Sequence, residues 1–398
     1  MRLHGTVALG LRAPIFNEGD DIARVAADVI LRAHEQGTFT IQDRDIFALT
    51  ESVVARTQGN YASVDDIAAD LLQKLGGRVP SLGLALPIMS RNRFAMLLEG
   101  IAQAADEVVV QFAYPSDEVG NHLIEPEILE EAGVDPYHDV FTEEEWLERF
   151  GPSFHTFTGV DYVSLYRQTV EKAGARFRAI FANDVRTILD EVEVVISCDI
   201  HTRFRSQRKL EKAGCTQVLR LDTLLTEPVN GSGYNADYGL LGSNKADETR
   251  VKLFPRDCTD VALKIQELVR EASGKSIEVM VYGDGAFKDP VGKIWELADP
   301  VVSPGYTPGL EGQPNELKLK YLADNQYSDL SPEEQSEAIR QSIREKSADL
   351  KGEIAAEGTT PRRLTDLLGS LADLVSGSGD KGTPFVYIQG YFDSYADN

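Results

Sequence analysis

The fold is indicated most clearly by residues 175–203, which read ARFRAIFANDVRTILDEVEVVISCDIHTR. Residues 175–181 and 192–197 are short apolar runs and are predicted to be strands, and residues 184–190 are predicted to form a helix between them. A further strand is predicted at 107–112. Because strands that alternate with helices are typical of a layered α/β module, the middle of the chain is predicted to form one.

Two regions flank this module and contain helices and strands of their own. The predicted elements are strands at 6–11 and 45–54 and helices at 22–33 and up to Leu75 in the first region, and helices at 259–272 and 360–374 and strands at 276–282 and 384–391 in the last region. We therefore divide the chain into residues 1–80, 81–220 and 221–398.

The composition is that of a globular protein with a strongly negative charge. Hydrophobic residues make up 42% of the 398 residues, charged residues 26%, and the formal net charge is −24. Such a surface repels phosphate backbones, so nucleic acid is not an expected partner. A site for an anionic substrate must then be built locally from Arg, Lys, metal ions or backbone N–H groups. The alternative explanation of the charge is simply a soluble, salt-adapted surface.

The sequence also bears on the cellular compartment. No apolar run approaches the roughly 20 residues that a membrane span needs, and the first residues lack the apolar stretch of a secretory signal. The cysteines Cys198, Cys215 and Cys258 are odd in number and have no CxxC spacing. We interpret them as free thiols in a reducing compartment, which predicts a cytoplasmic protein without a membrane partner.

A Gly-Asp-Gly turn after the predicted strand 276–282 is the first candidate site. Asp284 follows an apolar strand and could present its carboxylate to a metal ion, while Gly283 and Gly285 would let a phosphate approach the backbone. Lys288 could contact a phosphate oxygen. The alternative is that the glycines serve only the conformation of the turn.

Two other glycine-rich segments are candidates for ligand loops. Residues 231–245 contain Asn235, Asp237, Ser243 and Asn244, and form either a nucleotide or metal loop or a long hairpin. Residues 376–384 lack the Walker A pattern and form either an anion-binding nest or a flexible connection.

Polar clusters also lie in the middle module: two follow predicted strands, where ligands of open α/β sheets gather, and one precedes a predicted helix. The clusters lie at 87–93, 114–122 and 198–203, and their notable side chains are Arg91, Arg93, Asp117, His122, Asp199, His201 and Arg203. We expect the three arginines to bind carboxylates, and the Asp and His residues to orient them or to bind a further metal. The alternative is that all of them form internal ion pairs. A serine hydrolase or a zinc site is disfavoured, because GxSxG, HExxH and paired CxxC spacings are absent.

Several segments together resemble the coenzyme F420-0:L-glutamate ligase family. The similar segments occur in the family's order and are Gly10 to Ala23, Asp45 to Gly59, Asn235 to Asp257, Gly283 to Gly285 and Gly377 to Pro384. The resemblance covers about residues 1–75 and 225–395. The stretch 81–220 is longer than the family's usual connection, so we interpret it as an α/β module inserted into a ligase core.

The resemblance implies an α+β fold, an intertwined homodimer, and GTP or ATP used with Mg or Mn. The implied reaction activates an acceptor carboxylate as an acyl phosphate, which the amine of L-glutamate then attacks to form a γ-glutamyl amide. The implied acceptor is F420-0, or a pterin such as folate. The alternatives are a related ligase with another acceptor and an inactive relative that binds nucleotide as a regulator.

The resemblance also implies roles for particular residues. Asp284 falls where the family places a metal ligand, and the second metal aspartate falls on Leu241, for which Asp237 is predicted to substitute. The nucleotide site is predicted to include Arg56, Asn235, Ser243, Asn244, Gly283, Gly285 and Lys288. In the inserted module, Arg91, His201 and Arg203 are predicted to act on the substrates.

Overall fold

The structure is a computed structural model that describes residues 5–288, 295–356, 362–377 and 379–397. The helices are α1 (Ile22–Glu35), α2 (Glu51–Thr57), α3 (Val64–Leu75), α4 (Phe94–Ala102), α5 (Pro126–Glu131), α6 (Glu143–Phe150), α7 (Tyr162–Lys172), α8 (Arg203–Lys212), α9 (Cys258–Ser273), α10 (Leu319–Tyr321), α11 (Pro332–Glu345) and α12 (Leu364–Val375). The strands are β1 (Val7–Leu11), β2 (Ile46–Thr50), β3 (Tyr61–Ser63), β4 (Leu82–Ala85), β5 (Glu107–Phe112), β6 (Phe141–Thr142), β7 (Arg176–Phe181), β8 (Val194–Ser197), β9 (Gln217–Arg220), β10 (Asn244–Lys245), β11 (Arg250–Lys252), β12 (Glu278–Tyr282), β13 (Phe287–Lys288), β14 (Trp295–Glu296), β15 (Gly305–Tyr306) and β16 (Phe385–Gln389). Short 3-10 turns lie at Val185–Asp190, Leu221–Thr223, Pro308–Leu310 and Ile354–Ala356, and a π turn at Leu322–Gln326.

One sheet takes its strands from the two ends of the chain, in the order β1-β16-β2-β12-β15. Strands β2 and β12 are parallel, and the other pairs are antiparallel. Alternate residues of β2 point to opposite faces: Phe47 and Leu49 pack in the core with α1 and α9, and Ile46 and Ala48 pack in the core with α12. Both faces are therefore buried, which explains why this strand is apolar at successive positions.

A second sheet has the order β6-β7-β5-β4-β8-β9 and is parallel except for β6. Helices α4 and α7 pack on one face, and α8 with the 3-10 turn Val185–Asp190 packs on the other. This is the alternating α/β pattern that the sequence predicts for the middle of the chain, and the α+β class is confirmed. The core also includes Ile67, Leu71 and Leu253 from the flanking regions. The boundaries at 80 and 220, and the description of the module as an insertion, remain predictions.

The strand predicted at 45–54 is wrong in its second half. Strand β2 ends at Thr50, whose partner on β12 is Tyr282, and helix α2 begins at the next residue, Glu51. The apolar residues Val53 and Val54 made the whole segment resemble a buried strand. An apolar run cannot by itself distinguish a strand from a buried helix.

Two other expectations concern the C-terminal part and the membrane. The charged stretch 328–356 contains helix α11, and residues 360–361 of the helix predicted at 360–374 lie outside the described residues. Among the described residues, no helix combines the length and apolarity required to cross a membrane. The cysteines Cys198, Cys215 and Cys258 are all unpaired, as predicted.

Candidate active site

Charged side chains from both sheets meet beyond the ends of two neighbouring strands. Because β2 and β12 are parallel, their carboxyl ends lie at the same edge of the sheet. Glu51 follows β2 directly, and Asp284 follows β12 after one glycine. We use the name charged centre for Glu51, Asp284 and the three residues that contact or adjoin them, which are Arg93, Lys252 and Asp299.

Arg93 lies between two carboxylates of the charged centre. Its Nη2 is 2.7 Å from Oδ2 of Asp284, and its Nη1 is 2.7 Å from Oδ1 of Asp299. The backbone N–H of Asp284 donates to the other oxygen of Asp299 at 2.9 Å. Burial opposes the charge of the guanidinium, but Asp299 and Asp284 outweigh this effect and raise the pKa of Arg93. Arg93 precedes α4 on the six-stranded sheet, so these ion pairs join the two sheets.

The second ion pair of the charged centre is almost fully buried. Nζ of Lys252 donates to both oxygens of Glu51, at 2.7 and 2.6 Å, and the two side chains are only 9% and 7% exposed. Burial raises the pKa of Glu51, Lys252 opposes this shift, and the negative charge of Asp299 adds to it. Lys252 is therefore the cation that keeps a buried carboxylate compatible with the fold.

The glycines of the Gly-Asp-Gly turn make room for other parts of the protein. A Cβ on Gly283 would clash with the carboxylate of Asp299, and one on Gly285 would lie 2.9 Å from the Cα of Ser370 in α12. The N–H of Gly285 donates to Asp373 at 2.9 Å. The glycines thus allow the close approach of the charged centre and of α12. That Gly283 and Gly285 also bind a cofactor remains a prediction.

A cavity of about 500 Å³ adjoins the charged centre, and we call it the basic pocket. It is lined by Asn17, Glu18, Ser52, Arg56, Tyr61, Asn244, Lys245, Ala246, Asp247, Arg250 and Lys252. Four of these residues are basic and two are acidic, although the chain as a whole carries a net charge of −24. The pocket is therefore a local positive site of the kind that an anionic substrate requires in this protein.

Two basic side chains of the pocket remain available to a ligand. Arg250 pairs with Asp247 at 2.7 Å, and Lys252 pairs with Glu51. Arg56 donates its Nε to the carbonyl oxygen of Phe16, and neither Arg56 nor Lys245 forms an ion pair within the described part of the chain. The backbone N–H of Lys245 donates to the carbonyl oxygen of Asn92 at 2.6 Å, which connects the pocket to the loop that carries Arg93.

The structure brings together some of the residues predicted for the nucleotide site. Arg56 and Asn244 both line the basic pocket. Asn235 is buried instead, where its Nδ2 donates to the carbonyl oxygens of Phe254 and Pro255 at 3.0 Å. Ser243 is also buried and donates to the carbonyl oxygen of Leu240. These two side chains hold the loop together, and a direct role in nucleotide binding remains a prediction for them.

Three further positions concern the predicted phosphate and metal contacts, namely Lys288, Asp237 and Leu241. The side chain of Lys288 lies outside what the structure describes. Asp237 is exposed, and its backbone N–H donates to Oδ1 of Asn235. Leu241 is 2% exposed and packs in the apolar core of the six-stranded sheet. The position where the resemblance expects a metal aspartate therefore contains a buried hydrocarbon side chain.

At the carboxyl edge of the six-stranded sheet, the predicted polar residues mostly bind other groups of the protein. Asp199 accepts hydrogen bonds from the hydroxyls of Ser197, Thr202 and Ser206. Arg203 donates its Nε to Asp222 at 2.7 Å and also contacts the carbonyl oxygen of Ile200. This is the arrangement expected if these residues are structural.

Asp117 is buried beside these groups. It accepts hydrogen bonds from the backbone N–H groups of Met89, Val119 and Asn121 and from the side chain of Asn121. Burial outweighs these donors and raises the pKa of Asp117 to about 6.

The other predicted residues of this edge have different surroundings. The Nε2 of His201 lies 2.9 Å from the carbonyl oxygen of Leu297, which precedes Asp299. The Nδ1 of His122 is 3.9 Å from the carboxylate of Glu125. Arg91 is exposed and forms no ion pair with another described residue. Of the predicted arginines of this module, Arg91 is thus the one whose guanidinium a carboxylate can approach without breaking an internal pair.

The donor set of the charged centre has the right chemistry for a hard metal ion, but not the right arrangement. Asp284 and Asp299 provide the carboxylate oxygens that Mg and Mn prefer. However, the described residues contain no group of three or more Asp, Glu, His or Cys side chains that could hold a metal. Arg93 already contacts both aspartates. As placed, these residues do not fit a metal ion.

Sequence reasoning did not single out three members of the charged centre. Glu51 was overlooked because the strand was predicted to continue to residue 54, although a strand ending at Thr50 would have given Glu51 the same position as Asp284. Lys252 has a detectable signal, since it is a charged residue beside the apolar residues Val251, Leu253 and Phe254. Asp299 begins a segment rich in Pro and Gly, and no pattern in the sequence indicates a functional role for it.

A comparison with known protein families agrees with the resemblance seen in the motifs. The family model described as F420-0:Gamma-glutamyl ligase matches residues 10–390, which includes all of the charged centre and all strands of both sheets except the first residues of β1. No curated protein sequence matches the chain. Since the match covers nearly the whole sequence, the chain belongs to the F420-0:gamma-glutamyl ligase family.

Proposed function

We propose that this protein is a nucleotide-dependent ligase that joins L-glutamate to a carboxylated acceptor through an amide bond. Membership of the F420-0:gamma-glutamyl ligase family supports a ligase. The proposed acceptor is F420-0 or a folate, and the proposed co-substrate is GTP or ATP with Mg or Mn. A homodimer and a cytoplasmic location also belong to this proposal.

The observation that carries the proposal is the basic pocket beside the charged centre. Arg56 and Lys245 have no ion-pair partner among the described residues, and each can donate to a phosphate oxygen. Lys252 lines the same cavity and also contacts Glu51, so the pocket and the charged centre are continuous. We assign the triphosphate to this pocket because four basic side chains of the protein line it.

The proposed reaction has two steps. An oxygen of the acceptor carboxylate attacks the terminal phosphorus of the nucleoside triphosphate. The bond from that phosphorus to the bridging oxygen breaks, and the nucleoside diphosphate leaves. The amine of glutamate then attacks the acyl carbon, phosphate leaves with the bonding electron pair, and the nitrogen loses a proton. The protein's contribution is to hold two anionic substrates and a triphosphate in reactive positions.

Individual residues are assigned to parts of this task. Arg56, Lys245 and Lys252 neutralise the phosphates, and Asn244 donates to them from the wall of the pocket. Arg91 binds a substrate carboxylate, because it is exposed, unpaired within the described chain, and next to Asn92, which contacts the pocket. His201 and Arg203 remain candidates, although Arg203 is already used by Asp222.

A direct assay tests the proposal. The purified protein is incubated with GTP or ATP, Mg or Mn, L-glutamate and either F420-0 or a folate, and nucleoside diphosphate and product mass are measured. We expect sustained release of nucleoside diphosphate only when glutamate and acceptor are both present. The product should be heavier than the acceptor by one glutamyl residue. The first step alone can release one equivalent of nucleoside diphosphate without glutamate. Multiple turnovers at an undiminished rate without glutamate would contradict the ligase assignment.

One observation favours the alternative of an inactive regulator. Leu241 is buried where the resemblance expects a metal aspartate, and Asp284 is paired with Arg93. The regulator would bind GTP or ATP in the basic pocket without turnover. Nucleotide binding in a thermal-shift assay, combined with no diphosphate release for any tested acceptor and metal, would support this alternative.

A further inference from the structure

The feature that the proposed function leaves unexplained is the position of Arg93. Its guanidinium contacts Asp284 and Asp299 through two different nitrogens, and its side chain is only 16% exposed. Gly283 and the N–H of Asp284 hold the carboxylate of Asp299 in place. A planar donor fork between two carboxylates is a specific arrangement that Lys cannot reproduce.

Among the described residues, the charged centre combines three carboxylates, on Glu51, Asp284 and Asp299, with the two cations Arg93 and Lys252. Lys252 contacts both oxygens of Glu51, so Arg93 is the cation that the two aspartates share. A divalent ion bound by the same two aspartates would lie within a few ångström of the guanidinium, and two positive charges at that distance repel each other strongly in a buried site.

The surroundings restrict where the side chain of Arg93 can move. The cavity next to it is about 20 Å³ and is lined mainly by apolar residues, including Phe94, Leu97 and Leu241. Such a cavity cannot accept a charged guanidinium. If Arg93 leaves the two aspartates, it moves toward solvent, and the ion pairs between the two sheets are lost.

We propose that Arg93 is the resident cation of the Asp284–Asp299 pair, and that Arg93 and a divalent metal ion are mutually exclusive occupants of this position. Arg93 is thus a positioning residue that sets the affinity of the site for metal and couples metal binding to the contact between the sheets. The catalytic meaning of this inference rests on the proposed function, but its test does not require turnover.

The test compares Mn²⁺ binding and thermal unfolding in the full-length wild-type protein and two variants. Arg93→Gln removes the resident cation, and Arg203→Gln removes a cation from another buried ion pair, the one with Asp222. We expect Arg93→Gln to bind Mn²⁺ at least about tenfold more tightly than wild type, by electron paramagnetic resonance or calorimetry, because it no longer competes with Arg93. We also expect its melting temperature to be low in EDTA and to recover in Mn²⁺, whereas Arg203→Gln should be destabilised without recovery.

The inference is overturned if Arg93→Gln binds Mn²⁺ no more tightly than wild type, or if Mn²⁺ restores both variants equally. Arg93→Lys provides a second measurement if Arg93→Gln does not fold. It keeps the charge but not the fork, so its Mn²⁺ affinity should exceed that of wild type, and an unchanged affinity would overturn the inference. Tight Mn²⁺ binding by Arg93→Gln combined with no ligase turnover would reject the proposed function alone.

Discussion

The polar side chains at the edge of the six-stranded sheet and those of the basic pocket have different surroundings. At the carboxyl edge of the six-stranded sheet, Asp117, Asp199 and Arg203 make most of their hydrogen bonds to the protein itself. In the basic pocket, Arg56 and Lys245 line a cavity of about 500 Å³ and have no ion-pair partner among the described residues. Polar side chains therefore contact protein groups in the first region and face a cavity in the second.

The difference shows what distinguishes a structural polar residue from a candidate ligand-binding one. A buried polar group at a strand end must be satisfied, and the six-stranded sheet does this internally. The basic pocket instead leaves cations exposed to a cavity in a protein of net charge −24. Substitutions in the first region should therefore reduce stability, and those in the second should reduce binding or turnover.

The largest effect is expected for Asp222→Asn at the six-stranded sheet. Asp222 is 4% exposed and pairs with both Arg203 and Arg220, so its neutralisation leaves two largely buried cations without a counter-ion. We expect a loss of about 3–5 kcal/mol in the free energy of unfolding, measured by urea denaturation, with unchanged KM values. The control is Asp247→Asn, whose pair with Arg250 is exposed and whose loss should change the free energy of unfolding far less.

The substitution Arg203→Lys distinguishes a structural role of Arg203 from a role in substrate binding. If Arg203 is structural, this variant should melt at a lower temperature and keep the KM for glutamate and acceptor. A raised KM with an unchanged melting temperature would place Arg203 in the substrate site and remove the distinction between the two regions.

The next effect concerns turnover and the charged centre. Asp284→Asn removes one of the two carboxylates that hold Arg93, while Asp299 keeps the other pair. We expect kcat for the glutamate-dependent release of nucleoside diphosphate to fall by about 10²–10³-fold. This is the range seen when an electrostatic group of an active site is removed. The far-UV circular dichroism should not change. Turnover close to that of wild type would exclude Asp284 from the site.

A pH dependence is expected from the six-stranded sheet. Burial raises the pKa of Asp117 from 3.8 to about 6, so the folded protein holds this proton more tightly than the unfolded chain does. The stabilising contribution is therefore complete below pH 3.8 and is lost as the pH rises to about 6. Relative to Asp117→Asn, the wild-type free energy of unfolding should fall by up to about 3 kcal/mol over this window. Denaturant unfolding between pH 4 and 7 measures this difference, and a constant difference would mean that the hydrogen-bond donors cancel the effect of burial on this pKa.

Much of the fold could be predicted from local sequence. Strand β5 has the predicted bounds, because an apolar run between polar residues delimits it. The end of β2 could not be placed, since Val53 and Val54 bring apolar residues back after Glu51 and Ser52. Apolar patterns locate buried segments more reliably than they distinguish strand from helix.

The candidate site was predicted less completely, for a physical reason. Asp284 and Arg56 were found because each belongs to a local motif. The ion pairs join residues that are far apart in sequence. The separation is 201 positions for Glu51 and Lys252, and 191 positions for Arg93 and Asp284. No local pattern specifies such partners, so Arg93 was predicted to bind a substrate carboxylate and instead contacts carboxylates of the protein itself.

The central claim is that the basic pocket binds the nucleotide, and calorimetric titration with GTP and ATP tests it most directly. The double variant Arg56→Gln/Lys245→Gln removes two cations from the pocket, and Arg205→Gln/Arg208→Gln removes two exposed cations from α8 on the other sheet. A hydrogen bond to a charged group contributes about 1.5–3 kcal/mol, so the first variant should raise the Kd by at least about tenfold. The second variant should leave the Kd within about twofold of wild type, since long-range effects of exposed charges are screened by salt. An equal change in both variants, or no change in the first, would contradict the account.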